Sequence, residues 1–161
     1  MKSLGIAFLS TLLLAGVVGA ASVPHPHANP RAVAPRVASF DTVSVTWLNA
    51  KIAAAATARE PWVRDPVAIG LHDANLSPEA VAERTDFSLT WKGNSGENPD
   101  AGDLVLVDLN VKDDSIGATW DLYRMAREAD GSWRVVEHRI ARRCDRGTLA
   151  QTSTFHKGSC L

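Results

Sequence analysis

A chain of 161 residues with 17 basic and 18 acidic side chains is close to neutral. No charge excess points to nucleic acid or to an anionic membrane as a partner. Arginine outnumbers lysine 12 to 5 and alanine is abundant, a bias typical of GC-rich bacterial genomes.

The N-terminus reads as a secretory signal peptide. Met1-Lys2-Ser3 is a short positive start, Leu4 to Val18 is an unbroken run of apolar and small residues, and Val18-Gly19-Ala20-Ala21 offers small residues for a cut. Fifteen helical residues span about 22 Å, short of the roughly 30 Å hydrocarbon core, so cleavage is expected rather than a stable anchor. No twin arginine precedes the run and no cysteine stands at the cut. The expected product is periplasmic or secreted. Losing residues 1–21 removes only Lys2 and leaves sixteen bases against eighteen acids, net −2.

About 140 residues remain, enough for one domain with a real core. Residues 22–38 are proline-rich and poor in large apolar side chains, which predicts a flexible leader. The globular domain is expected over 39–161. Asp41 or Thr42 invites a helix cap, and a helix is predicted over 43–58, although Val43 to Trp47 also alternates like a strand. Trp47, Ile52, Ala55 and Ala56 would share its inner face. Pro66 then opens Val67, Ile69 and Leu71, with strand alternation. Ser77-Pro78-Glu79 marks a short helix over 78–84.

The remainder alternates as strands. Phe87, Leu89 and Trp91 form one face of the first, and the loop Lys92 to Gly102 follows it. Leu104 to Val111 is apolar on both faces. Asp113-Asp114 marks a turn, and Ile116, Ala118, Trp120 and Leu122 give the next inward face. Asp130-Gly131 is a hairpin signal. In the last strand Trp133 and Val135 are read as opposing Val136, His138 and Ile140. The fold class is therefore α+β, an N-terminal helix packed on a curved antiparallel meander. Cystatin-like and nuclear-transport-factor-like rolls are built this way, an analogy that transfers no function.

With export expected, Cys144 and Cys160 have only one intramolecular pairing, a disulfide read as a staple for the C-terminal tail. Its spacing is not that of a redox-active C-x-x-C pair.

Several motifs invite chemistry. Gly93-Asn94-Ser95-Gly96 is similar to a trypsin-like nucleophile motif, but the chain is too short for that scaffold. Asn94, Glu97, Asn98, Asp100 and Asp103 offer calcium oxygens without EF-hand spacing. His25-Pro26-His27 offers imidazoles for a metal, but a cut that made His25 third would put Pro24 second, where an amino-terminal copper motif needs an amide. His72-Asp73 and Asp113-Asp114-Ser115 carry acid–base groups, read first as turn-formers. No catalytic residue, metal site or cofactor is assigned on these grounds.

The charge distribution is the better lead. Residues 97–130 carry net −6 and residues 134–157 net +4. Either the two halves of the sheet pair these charges with each other, or Arg139, Arg142, Arg143 and Arg146 form a basic patch facing an envelope protein or a small anionic ligand. Trp62, between Pro61 and Val63, is the tryptophan expected to be partly exposed, read first as packing over the helix end and second as an anchor for a partner. The other four tryptophans of the mature chain, Trp47, Trp91, Trp120 and Trp133, are expected in the core.

Val111-Lys112-Asp113-Asp114-Ser115-Ile116-Gly117, then Gly131-Ser132-Trp133-Arg134-Val135, then Arg143-Cys144-Asp145-Arg146-Gly147 and a final Cys160, occur in that order. The last fifty residues thereby resemble a group of small exported bacterial proteins of unknown function, with an Asp-Asp-Ser turn and an Arg-Cys…Cys tail. The resemblance implies export and a disulfide, and no activity. On the residues themselves, a non-enzymatic binding module is the first reading and a small hydrolase the alternative.

Overall fold

The computed structural model describes residues 35–77, 85–92, 99–109 and 111–160. The expected signal peptide, His25 and His27, the 78–84 helix, the Gly93-Asn94-Ser95-Gly96 motif and the oxygens of Asn94, Glu97 and Asn98 lie outside these residues. The fold is α+β, an open five-stranded antiparallel sheet with short helices.

The first strand, β1 (Asp41–Val43), precedes helix α1 (Thr46–Thr57). Of the run from Val43 to Trp47 that alternates like a strand, only Val43 lies in β1; Thr46 and Trp47 open the helix, which starts three residues later than expected. Asp41 caps no helix; its carboxylate accepts from the Gly158 amide at 2.9 Å. A 3-10 turn (Pro61–Arg64) leads into helix α2 (Pro66–Asp73). A strand was expected here, and the correction has a local cause. The Asp65 side chain accepts from the Val67 amide at 2.9 Å, and Pro66 occupies the first helical position, where its missing N–H costs nothing.

Strands β2 (Thr85–Lys92), β3 (Ala101–Asp108), β4 (Ile116–Arg127) and β5 (Trp133–Cys144) form a meander. The sheet order is β1-β5-β4-β3-β2, so β1 returns to the far side of β5. The hairpin at Asp130-Gly131 forms as its sequence predicts, with Gly131 at φ +85°, a conformation that favours glycine. Helix α3 (Leu149–Ser153) follows, closed by a reciprocal capping box between Thr148 and Gln151.

Helices α1 and α2 cover one face of the sheet. Leu48, Ile52 and Ala55 of α1, with Val63 and Ile69, pack on Leu104, Leu106, Tyr123, Met125, Trp133 and Val135. Spacings of four and three turn these α1 residues onto one stripe. Trp47 lies outside that stripe and is 64% exposed, with the Lys51 ammonium 4.3 Å above its ring. Trp91, on edge strand β2, is 46% exposed and lies against Trp133 with ring centroids 5.6 Å apart. Trp47 and Trp91 thus depart from the expected core, whereas Trp120 and Trp133 belong to it. The Asn49 carboxamide pins α1 to β5 by bonding both backbone groups of Val135, at 2.8 and 2.9 Å.

Ala118, Trp120 and Leu122 face the other way, where they join Ala141 and Phe155 with Val105, Val107 and Val37 alongside. The face read as inward for β4 is thus the one α1 and α2 leave uncovered. Residues Arg36 to Ala38, read as the end of the leader, pair with Phe155 through backbone hydrogen bonds of 2.9 and 2.8 Å.

Strand β5 does not alternate simply. Arg124 is opposite Glu137 and Met125 is opposite Val135, so Val136 has no partner and forms a bulge. The extra residue shifts the phase by one. His138 and Ile140 therefore share the helix-covered face with Trp133 and Val135, where unbroken alternation had opposed them, and Val136 is 52% exposed.

Helix α2 lies close to β3 because Gly70 has no side chain: a Cβ there would come within 2.5 Å of a Leu104 methyl and 3.0 Å of a Leu106 methyl. Both leucines are fully packed. Gly70→Ala should lower stability by about 1–3 kcal/mol by lifting α2 off the sheet. Urea unfolding checks this, and a loss under 0.5 kcal/mol would mean the leucines yield freely.

Candidate functional site

The C-terminal end of α2 and strands β3, β4 and β5 enclose a cleft of about 320 Å³. Its apolar lining includes Leu76, Leu106, Val111 and Ile140, and its polar lining includes Asp73, Thr119, Asp121, Tyr123 and His138. Antiparallel register brings three of the polar groups together. Tyr123 is directly opposite His138, and Asp121 is two residues before Tyr123 on the same face. Asp73, the last residue of α2, comes down onto them.

The four side chains form one network. His138 Nε2 lies 2.8 Å from Asp121 Oδ1. His138 Nδ1 lies 3.6 Å from Asp73 Oδ2, an ion-pair distance rather than a hydrogen bond. The Tyr123 hydroxyl donates to the same Asp73 oxygen at 3.0 Å. The Tyr123 and His138 rings stack at 4.2 Å between centroids, with 16° between planes. The His138, Asp121 and Asp73 side chains are 8%, 12% and 16% exposed. Burial, reinforced by the charges of Asp121 and Asp73, pushes the Tyr123 phenol well above its ordinary value. The hydroxyl therefore stays protonated and remains a donor throughout the physiological range. A carboxylate and an imidazole joined at 2.8 Å in a cleft lined by both apolar and polar side chains can orient a polar ligand and exchange a proton with it.

Of the sequence candidates, only Asp73 reaches this cleft. Its neighbour His72 turns away and stacks on Trp62, with ring centroids 4.3 Å apart. Trp62 is half-buried by that contact and donates its indole N–H to Glu60 at 2.5 Å. Asp113 sits in the β3–β4 turn, where it accepts from the Ser115 amide and hydroxyl at 2.9 and 2.7 Å. Those bonds hold the Asp113 carboxyl below its ordinary value. Asp114 pairs with Arg146 at 2.7 Å across the surface. The sequence reading passed over Asp121, Tyr123 and His138. The signal for Asp121 and Tyr123 is a polar residue at alternate positions of an otherwise apolar β4; that for His138 is hidden by the phase shift at Val136 in β5.

The arginines have several partners. Lys92, Asp103, Arg124, Glu137 and Arg139 form a row of alternating charge across β2 to β5 on the face opposite α1 and α2, with Arg124–Glu137 at 2.8 Å and Arg139–Glu137 at 2.5 Å. The Arg139 and Arg124 guanidinium groups, Arg139 foremost, hold the Glu137 carboxyl below its ordinary value. Arg139 also lies 4.2 Å from the Phe40 ring centroid. Arg142 donates to the Gly158 carbonyl at 3.2 Å, and Arg143 lies 5.8 Å from the Phe155 ring centroid. Among the ion pairs of the described residues, none involves Arg142 or Arg143.

A larger groove of about 540 Å³ runs between α1 and the β4–β5 turn. It is more open, and its charged lining residues are already engaged: Glu128 pairs with Arg134 at 2.7 Å, and Asp130 accepts from the Ser132 amide and hydroxyl at 2.9 and 2.6 Å. The smaller cleft holds the denser chemistry.

Tyr123→Phe removes the donor to Asp73 and leaves a half-buried carboxylate short of a partner. It should cost about 1–2 kcal/mol in urea unfolding at neutral pH. A loss below 0.3 kcal/mol would show that this bond adds nothing to the attachment of α2.

Comparison with protein-family models, with curated proteins and with solved structures finds no match, so the chemistry of the cleft is the basis on which a function can be argued.

Proposed function

We propose that this is a small exported protein that binds a low-molecular-weight ligand in the cleft between α2 and strands β3, β4 and β5. The observation that carries the reading is the His138–Asp121 pair, with Asp73 and Tyr123, in the wall of a 320 Å³ cavity that is otherwise largely apolar. Concave sites near 300 Å³ with a few convergent polar groups are what small ligands occupy. Export is supported by the charged start and apolar run of residues 1–21, by the resemblance of the last fifty residues to small exported bacterial proteins, and by the Cys144–Cys160 disulfide, which is compatible with an oxidising compartment. No helix among the described residues is long and apolar enough to cross a membrane.

A second reading is a small enzyme, in the hydrolase class or another class that moves a proton. It is favoured by the 2.8 Å contact between His138 and Asp121, because a carboxylate that orients an imidazole is a recurrent acid–base arrangement. The end of β5, where Arg142 and Arg143 point to opposite faces of the strand, is the competing location for a ligand or protein partner.

A thermal-shift screen of small polar compounds against the mature protein tests these readings. Compounds that raise the melting temperature should bind Asp121→Asn about tenfold or more weakly, because a charge-assisted hydrogen bond is lost. Arg142→Ala/Arg143→Ala should bind them as the wild type does. The opposite pattern would move the site to the end of β5. Turnover of a bound compound by the wild type, abolished in His138→Ala, would favour the enzyme.

A further inference from the structure

We infer that the Cys144–Cys160 disulfide is a thiol-exchange site, attacked at Cys160 by an external dithiol, with His156 as the acid that serves the departing Cys144 sulfur. The bond joins the buried end of β5 to the chain's tail, with Cα atoms 5.5 Å apart. Its two sulfurs are unequal: Cys144 is 2% exposed, whereas Cys160 is partly exposed. An incoming thiolate therefore meets Cys160, and Cys144 is the leaving group.

His156 stands beside that leaving group, with Nε2 3.5 Å from Cys144 Sγ. Its Nδ1 lies 3.0 Å from the Lys157 carbonyl oxygen. A carbonyl only accepts, so Nδ1 carries a hydrogen, and Nε2 is the nitrogen that gains or gives a proton at the sulfur. The ring is held in place. The His156 backbone bonds Arg142 in both directions at 2.9 Å, and the Lys157 amide donates to Ser39 Oγ at 3.0 Å. Thiol exchange is faster when the departing sulfur is stabilised. The two cysteines lack close spacing, so this property would come from a histidine placed by the fold.

The exchange balances as follows. A thiolate of the dithiol bonds to Cys160 Sγ, and the electron pair of the broken S–S bond goes to Cys144 Sγ. That sulfur takes the Nε2 proton of the His156 imidazolium and becomes a thiol, leaving a neutral imidazole still bonded to Lys157 through Nδ1. The second thiol of the dithiol, as thiolate, then attacks its own sulfur in the mixed disulfide. Cys160 is released as a thiolate and takes a proton from water. The dithiol is oxidised to a disulfide by two electrons, and the cysteine pair is reduced to two thiols.

The test is reduction of the oxidised full chain by dithiothreitol at neutral pH, followed as released thiol and expressed per thiolate. His156→Ala and His156→Asn are compared with the wild type; the Asn side chain can still donate to the Lys157 carbonyl but has no second nitrogen at the sulfur. Both variants should react about tenfold more slowly. A histidine that merely packs over the bond would, on removal, expose it and speed reduction, so an unchanged or faster rate overturns the proposal. Independently of any variant, brief treatment of the wild type with glutathione and acid quenching should leave the adduct on Cys160. An adduct on Cys144 overturns the assignment.

Discussion

The cleft depends on one unpaired residue. Val136 sits where β5 gains a residue on β4, and every side chain after it changes face. Without the bulge, His138 would point away from α1 and α2, its ring could not stack on Tyr123, and Asp121 would have no imidazole at 2.8 Å. The bulge also sits next to Val135, whose backbone groups both go to Asn49 of α1. A bulge interrupts the ladder, and at this interruption a side-chain amide takes over backbone pairing. The helix is thereby fixed against the strand at the point where the strand changes phase.

What the bulge makes available, the approach of α2 completes. Taking carboxylates and an imidazole out of water is unfavourable unless each finds a partner. Asp121 faces His138, and Asp73 receives the Tyr123 hydroxyl with His138 at 3.6 Å. Asp73 is in reach because Gly70, one turn earlier, lets α2 settle on Leu104 and Leu106. The network joins α2, β4 and β5, so the same contacts that shape the cleft also hold the helix that roofs it. The shape of the cleft and the local stability of α2 are therefore linked at these four residues.

The opposite face is organised by charge and by the tail. The row from Lys92 to Arg139 alternates in sign across four strands, which orders long side chains that would each gain little as an isolated exposed pair. Beyond it, Phe155 closes a small apolar cluster, and its backbone holds Arg36 and Ala38. The disulfide, which could contribute roughly 3 kcal/mol by restricting the unfolded chain, keeps this tail near β5. The tail in turn holds the segment leading into β1 through Ser39 and Asp41. The two ends of the domain are thus fastened together at the covalent bond that His156 faces.

The sequence alone specifies the α+β class, the meander, the Asp130-Gly131 hairpin and the cysteine pairing. These follow from two-residue alternation, from turn chemistry and from a count of two cysteines, all of them local or exhaustive signals. It misjudged α2, because Val67, Ile69 and Leu71 alternate as a strand would, while the deciding contact, Asp65 to the Val67 amide, is a matter of which cap forms. It put Trp47 inside because a shift of one position on a helix rotates a side chain by about 100°, and only packing on β5 chose Leu48, Ile52 and Ala55. Of the candidate site it named Asp73 and missed Asp121, Tyr123 and His138. Those three meet only through register across β4 and β5 and through the phase change at Val136. Register follows from the apolar patterns of both strands and from the turn that joins them, and a bulge inside β5 shifts it by one residue where alternation along β5 alone gives no sign of it.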